Sequence, residues 1–215
     1  SYYFAISDRD YDCFRNTNLE KKFSPNWFYV DNHSLETWIL SDENNFRKLI
    51  EHAKINWIDS DKLRTLKQKK INLKEIIFNI ATNIGVLRLI SLREKGLNIS
   101  FNGAFRKSSN FLKFLRPENV LNKKTPFDKR NLFNFLFDKN NNLLKGTVLD
   151  KENVLSIYEK EINYQKGSSL YSLAHGHDLC KILHFFFTHK ILSGSQDQVL
   201  KYEKIFDTKE GDGNS

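Results

Sequence analysis

"YYFAISDRDYD", residues 2–12, sets a run of aromatic and aliphatic side chains directly against three alternating aspartates. Nearly every residue of 2–7 is apolar or aromatic, which predicts a strand covered on both faces, as in a parallel sheet. Along an extended chain, residues two apart point to the same side. Asp8 and Asp10 can therefore present both carboxylates to one hard cation from a rigid base. A second apolar run, "NWFYVD", predicts a strand over 27–30 that also closes on an acid, Asp31. Two covered strands finishing in acid suggest one carboxyl-end rim, where open α/β sheets collect their ligands. The competing account of the D-x-D is a solvated loop, because Asp is common in turns. The covered strand before it favours the metal account, as does Arg9 between the acids, placed to pair with them or to meet a substrate phosphate.

Beyond residue 33 the pattern turns helical. Ser34 is a cap for "LETWIL", and Ser41 offers a second start, with Phe46, Leu49 and Ile50 on one side. In "INLKEIIFNIATNIGVLRLISL", residues 71–92, Leu73, Ile76, Ile77, Ile80, Ile84 and Leu87 recur at helical spacing. Asn72 with Glu75 makes a capping-box pattern, and Gly96 a stop. "LNISF" alternates apolar and polar residues and predicts a half-exposed strand, with "NFLKFL" as its partner. Asp128 then caps a helix through "RNLFNFLF". Further helices are expected over about 151–164, 177–192 and 196–206. The expected class is thus α/β: a parallel-sheet segment over 1–58, a mostly helical lobe over 59–209 with short strands near 97–115, and a disordered tail over 210–215. The chain begins with Ser at an apparent core strand and contains no Met, so the expectation is that it starts inside a larger domain.

The 215 residues are long enough for one sizeable core, with 40% hydrophobic content. The densest apolar run, "ILHFFF", falls far short of the roughly 20 residues that cross a bilayer, and no membrane role is expected. Cys13 and Cys180 stand far apart and give neither a disulfide framework nor a CxxC site, so a reducing cytoplasm is the simplest compartment. The formal charge of +8 favours polyanionic partners, although a Lys/Asn/Ile-rich composition alone produces the same excess.

The stretch "FAISDRDYD", followed after a polar insert by "NWFYVDNHSLETWIL", resembles the second half of a toprim domain, the metal-dependent fold of topoisomerases, primases and OLD-type nucleases. An apolar strand ending in D-R-D, a strand ending in Asp, and "HSLE" opening a helix look most similar to the toprim nuclease effectors of bacterial anti-phage systems encoded beside an ATPase. The resemblance covers about the first forty residues, and "GHDLCKILHF" is a second, weaker echo. It implies a partial toprim-like parallel sheet, with Asp8, Asp10 and Glu36 as catalytic ligands of Mg²⁺ or Mn²⁺ and with Asp12, Asp31 and His33 close by. Toprim domains also carry a glutamate on an earlier strand, and that residue has no counterpart in this sequence. The implied partners are an ATPase, nucleic acid and a second copy of the chain.

A complete site of this kind would cleave phosphodiesters of RNA, tRNA included, or of DNA. Arg9, Lys67, Lys69, Lys70, Arg106 and Lys107 are candidates to hold the backbone, with Phe105, Phe111 and Phe114 available to stack on bases. Solvated lysine faces over a core explain the same residues. Two further readings stand beside the nuclease. One is a non-catalytic module that binds a partner or nucleic acid. The other is a metal-independent ribonuclease of HEPN type, for which Arg47 and His52 fit an R-x4-H spacing. His177, Cys180 and His184 share a helical stripe and could bind zinc, but a core cysteine and a helix start explain the motif more simply.

Overall fold

The computed structural model describes residues 5–7, 27–29, 34–57, 72–100, 129–138, 143–165, 173–188 and 192–195. Six helices carry the described chain: α1 (Leu35–Ser41), α2 (Glu43–His52), α3 (Leu73–Arg93), α4 (Lys129–Leu136), α5 (Lys151–Gln165) and α6 (Gly176–Thr188). The strands are short. β1 (Ala5–Ser7) pairs in parallel with β2 (Trp27–Tyr29), Ser7 opposite Tyr29, and β3 (Asn56–Trp57) pairs antiparallel with β4 (Leu192–Ser193).

The expected α/β class with a toprim-like parallel sheet is therefore overturned: the described residues are predominantly helical, and a three-residue ladder is not a sheet that organises a domain. The physical reason is one of extent: the two runs do pair as strands, but over three residues each, while the buried apolar side chains of the described residues lie mainly on the helices. Of the small β element expected near 97–115, only 97–100 are among the described residues, and the expected partner "NFLKFL" lies outside them. Leu97 and Ile99 are buried between exposed neighbours, as their alternation suggests, but 97–100 form no ladder. Their backbone is satisfied irregularly, Ser100 N–H donating to the Leu143 carbonyl and Asn98 N–H to Thr147 Oγ1. The segment after α2 turns at Lys54, where φ is +51°, and enters β3.

The core is built around α3. Ile76, Ile77, Phe78, Ile80, Ala81, Ile84, Val86, Leu87, Leu89 and Ile90 are all buried, so the apolar surface wraps the helix rather than forming one stripe. Helix α5 packs on it through Val154 and Tyr158, and α6 through Leu179, Ile182, Leu183, Phe185 and Phe186. Each such side chain contributes about 1.5–3 kcal/mol relative to exposure. By length and composition α3 could also cross a membrane, which corrects the expectation that no segment is long and apolar enough; here it is a packed core helix.

The caps explain where the helices begin. Ser34 caps α1 as expected, its Oγ accepting from Thr37 N–H. Asp42, not Ser41, starts α2: its carboxylate accepts from Asn45 N–H at 2.8 Å while its own N–H closes α1 on Ile39. Asn72 caps α3 through Lys74 N–H. Lys74 Nζ then reaches back to the Ser41 carbonyl at 2.6 Å and to Glu43 Oε2 at 2.8 Å, tying α3 to the α1–α2 corner. Helix α6 ends at Thr188, short of the expected Leu192, because Leu192 is taken by the β3–β4 ladder.

Candidate functional site

The first turn of α1 and the start of α6 meet in a buried polar junction. Its far wall is α3, where Gly85 allows the Leu173 carbonyl to lie so close that an added Cβ would stand 1.8 Å from its oxygen. That contact seats residues 173–176 between α3 and α1.

The Ser34 hydroxyl is fully engaged there. Its Oγ accepts from Thr37 N–H at 3.3 Å and from Gly176 N–H at 3.2 Å, and lies 3.1 Å from Thr37 Oγ1. Thr37 Oγ1 donates to the Ala174 carbonyl at 2.6 Å, so the Ser34 hydroxyl proton is the one that goes to Thr37. Ser34 and Thr37 are both buried. The two segments are joined across 137 to 142 positions of sequence by side-chain and backbone bonds that water does not reach.

Glu36 is the unusual member. The residue is only 7% exposed, and its Oε2 is a buried oxygen with no hydrogen-bond partner among the described residues. It lies against Gly176: a Cβ built there would come within 2.5 Å of Oε2 and 2.7 Å of the Glu36 Cβ. A buried carboxylate oxygen without a donor is costly unless a cation or proton compensates it. The oxygen is a hard donor, compatible with a cation, a proton or a partner outside the described residues.

Next to it, α6 opens with a second polar group. The His175 carbonyl accepts the N–H groups of Asp178 and Leu179, and His175 Nδ1 accepts from His177 N–H at 3.2 Å, so His175 caps the helix with both main chain and ring. Its ring stacks on that of His177, centroids 5.2 Å apart. Burial, then the charges of Arg88, His177 and Lys181, push the His175 pKa down to about 3, and the positive end of α6 acts in the same direction. The imidazole is thus neutral at physiological pH, with its proton on Nε2. One turn on, the fully buried Asp178 is held by Arg88 from α3.

Of the expected site residues, the described structure contains Glu36, and it places that residue in the junction. Asp8, Asp10, Asp12, Asp31 and His33 lie outside the described residues, as do Arg9, Lys67, Lys69, Lys70, Arg106, Lys107 and the three stacking phenylalanines. Among the described residues no group of three His, Cys, Asp or Glu side chains comes together to hold a metal ion. The zinc stripe on α6 is not such a group, since Cys180 is buried while His177 and His184 are exposed. Arg47 and His52 both sit on α2, where Arg47 pairs with Glu51 on an exposed face. Sequence reading missed His175, Asp178 and Arg88 as one constellation. The available signal was the lone arginine in the apolar 76–90 stretch, because a charge on a core helix requires a buried counter-charge. In comparisons with known proteins, the chain matches no family model, no curated protein and no solved structure.

Proposed function

We propose that this chain is a metal-dependent nuclease that cleaves nucleic-acid phosphodiesters, with Asp8, Asp10 and Glu36 as ligands of Mg²⁺ or Mn²⁺ and an ATPase partner as its control. The single observation that carries the reading is Glu36: a carboxylate buried in the first turn of α1 whose Oε2 has no donor among the described residues. The residue pattern of 4–40 supports it, through its likeness to toprim effectors in sequence; the parallel sheet of those proteins is no part of the proposal. Short β1 and β2 also end level with each other, Ser7 beside Tyr29, and the acids Asp8 and Asp31 follow those residues in sequence by one and two positions.

Within this reading Glu36 supplies an oxygen donor shielded from water, where a hard cation is bound most strongly. The chemistry such an ion supplies is polarisation of the scissile phosphate and a hydroxide nucleophile at neutral pH. Arg9, Lys67, Lys69, Lys70, Arg106 and Lys107 would hold the polyanion without sequence preference.

The test is a Mn²⁺ titration of the full chain, wild type against Asp8→Ala/Asp10→Ala and Glu36→Gln, followed by incubation with end-labelled RNA and DNA. Weakened Mn²⁺ binding in both variants, with loss of cleavage, is expected. Unchanged binding in both variants defeats the metal assignment. Intact metal binding without cleavage of any substrate moves the chain to the class of binding modules.

A further inference from the structure

We infer that Gly176 and Thr37 are positioning residues for the Glu36 carboxylate, so that the start of α6, far along the chain, is a working part of the site. The inference rests on Glu36 being a metal ligand. Three relationships carry it. Gly176 faces Glu36 so closely that a single added methyl would overlap both Oε2, at 2.5 Å, and Cβ, at 2.7 Å, as well as Ser34 Oγ at 2.4 Å. The carboxylate lies where it does because residue 176 has no side chain. Second, Thr37 follows Glu36 directly, and its hydroxyl ties the first turn of α1 to the Ala174 carbonyl at 2.6 Å. Third, Ser34 Oγ takes the N–H of Gly176 itself, so the residue that faces the acid is tied to the first turn of α1.

The consequence is a division of labour. A flexible Glu side chain left to itself samples several rotamers and pairs with water. Held between Gly176 and the Ser34–Thr37 pair, it is kept in one place and out of solvent. Outer-shell groups that hydrogen-bond a ligand directly are worth about 10- to 100-fold in metal affinity, and the indirect hold through Gly176 and Thr37 is set at the lower end of that range. Docking of α6 then becomes a condition for forming the site.

The experiment uses the full chain and two readouts. The first is Mn²⁺ affinity by titration calorimetry in wild type, Gly176→Ala, Thr37→Val, Thr37→Ser and Glu36→Gln. The second needs no metal: the Cδ resonance of Glu36 in ¹³C-glutamate-labelled protein, assigned by its loss in Glu36→Gln. Gly176→Ala and Thr37→Val are expected to weaken Mn²⁺ by about tenfold and to move the Cδ resonance. Thr37→Ser, which keeps the hydroxyl, is expected to stay near wild type in both. Should Gly176→Ala fail to fold, the contrast between Thr37→Val and Thr37→Ser decides alone. A wild-type affinity and unmoved resonance in Thr37→Val overturn the inference, and so does a Thr37→Ser variant as impaired as Thr37→Val. Equal affinity in wild type and Glu36→Gln overturns the metal reading beneath it, which a failure of positioning alone would not produce.

Discussion

Arg88 closes on both oxygens of Asp178, Nε on Oδ2 at 3.1 Å and Nη2 on Oδ1 at 2.9 Å, and the aspartate is wholly shielded from solvent. Two-point pairing of this kind is the geometry in which a guanidinium neutralises a buried carboxylate most completely. It crosses the α3–α6 interface just below the polar junction, so it fixes the start of α6 against the core.

From this pair a stability pattern follows. Arg88→Met leaves a bare carboxylate in the interior and is expected to cost about 3–5 kcal/mol. Removing both charges in Arg88→Met/Asp178→Leu is expected to cost markedly less than the two single changes added together. Urea unfolding of the four proteins measures the coupling. An additive double variant would mean that the pair contributes no specific energy.

His175 gives the chain a distinct acid sensitivity. Its folded pKa of about 3 lies below the ordinary histidine value of 6.5, so between those pH values the unfolded chain binds the extra proton. Stability from this group is then complete above pH 6.5 and is lost as pH falls toward 3. From pH 7 to pH 5 the loss from this residue amounts to at most about 2 kcal/mol. His175→Asn retains a capping side chain and removes the titration. Thermal melts at both pH values are expected to show a smaller acid-induced drop in the variant than in wild type. Equal drops in the two proteins would rule out the buried neutral ring as their source.

How far the sequence disclosed these features depended on whether the determinant was local. Ser34 and Asn72 were legible as caps because a cap needs only its own next three residues. The alternation at 97–99 correctly told which side chains are buried, yet not the secondary structure, because the hydrogen-bond partners lie in 143–148. Glu36 was singled out only through the resemblance of "HSLE" to the helix opening of toprim effectors. Its isolation was not legible, since it arises from Gly176, 140 positions away. The Arg88–Asp178 pair was hidden for the same reason, and the short aromatic runs at 2–7 and 27–30 carried too few residues to fix a fold class.

Ser34 is expected to be the most sensitive serine of the described chain. Ser34→Ala deletes the α1 cap and strands the N–H groups of Thr37 and Gly176 together. Loss of a cap alone costs about 1 kcal/mol, and a buried donor left unpaired adds about 1–3 kcal/mol. Denaturant unfolding should therefore place Ser34→Ala at least 2 kcal/mol below wild type by these estimates. Ser41→Ala, which loses an exposed bond to the Trp38 carbonyl, serves as the comparison and is expected to cost less than Ser34→Ala. Equal effects at the two serines would mean that the junction is not buried as described.

The sharpest separation of function from architecture comes from Glu36 in the absence of metal. A residue kept for packing stabilises the fold, whereas a ligand held ready for a cation stores unfavourable energy until the cation arrives. Glu36→Met has similar length and no charge, and it relieves the orphaned Oε2. Without divalent ions the variant is expected to be about 1–3 kcal/mol more stable than wild type. With Mn²⁺ at a hundred times its dissociation constant, wild type gains about 2.7 kcal/mol by mass action while the variant gains nothing. The order of the two melting temperatures should then close or invert on adding the metal. A metal-free variant less stable than wild type would show instead that Glu36 serves the fold, through a partner outside the described residues.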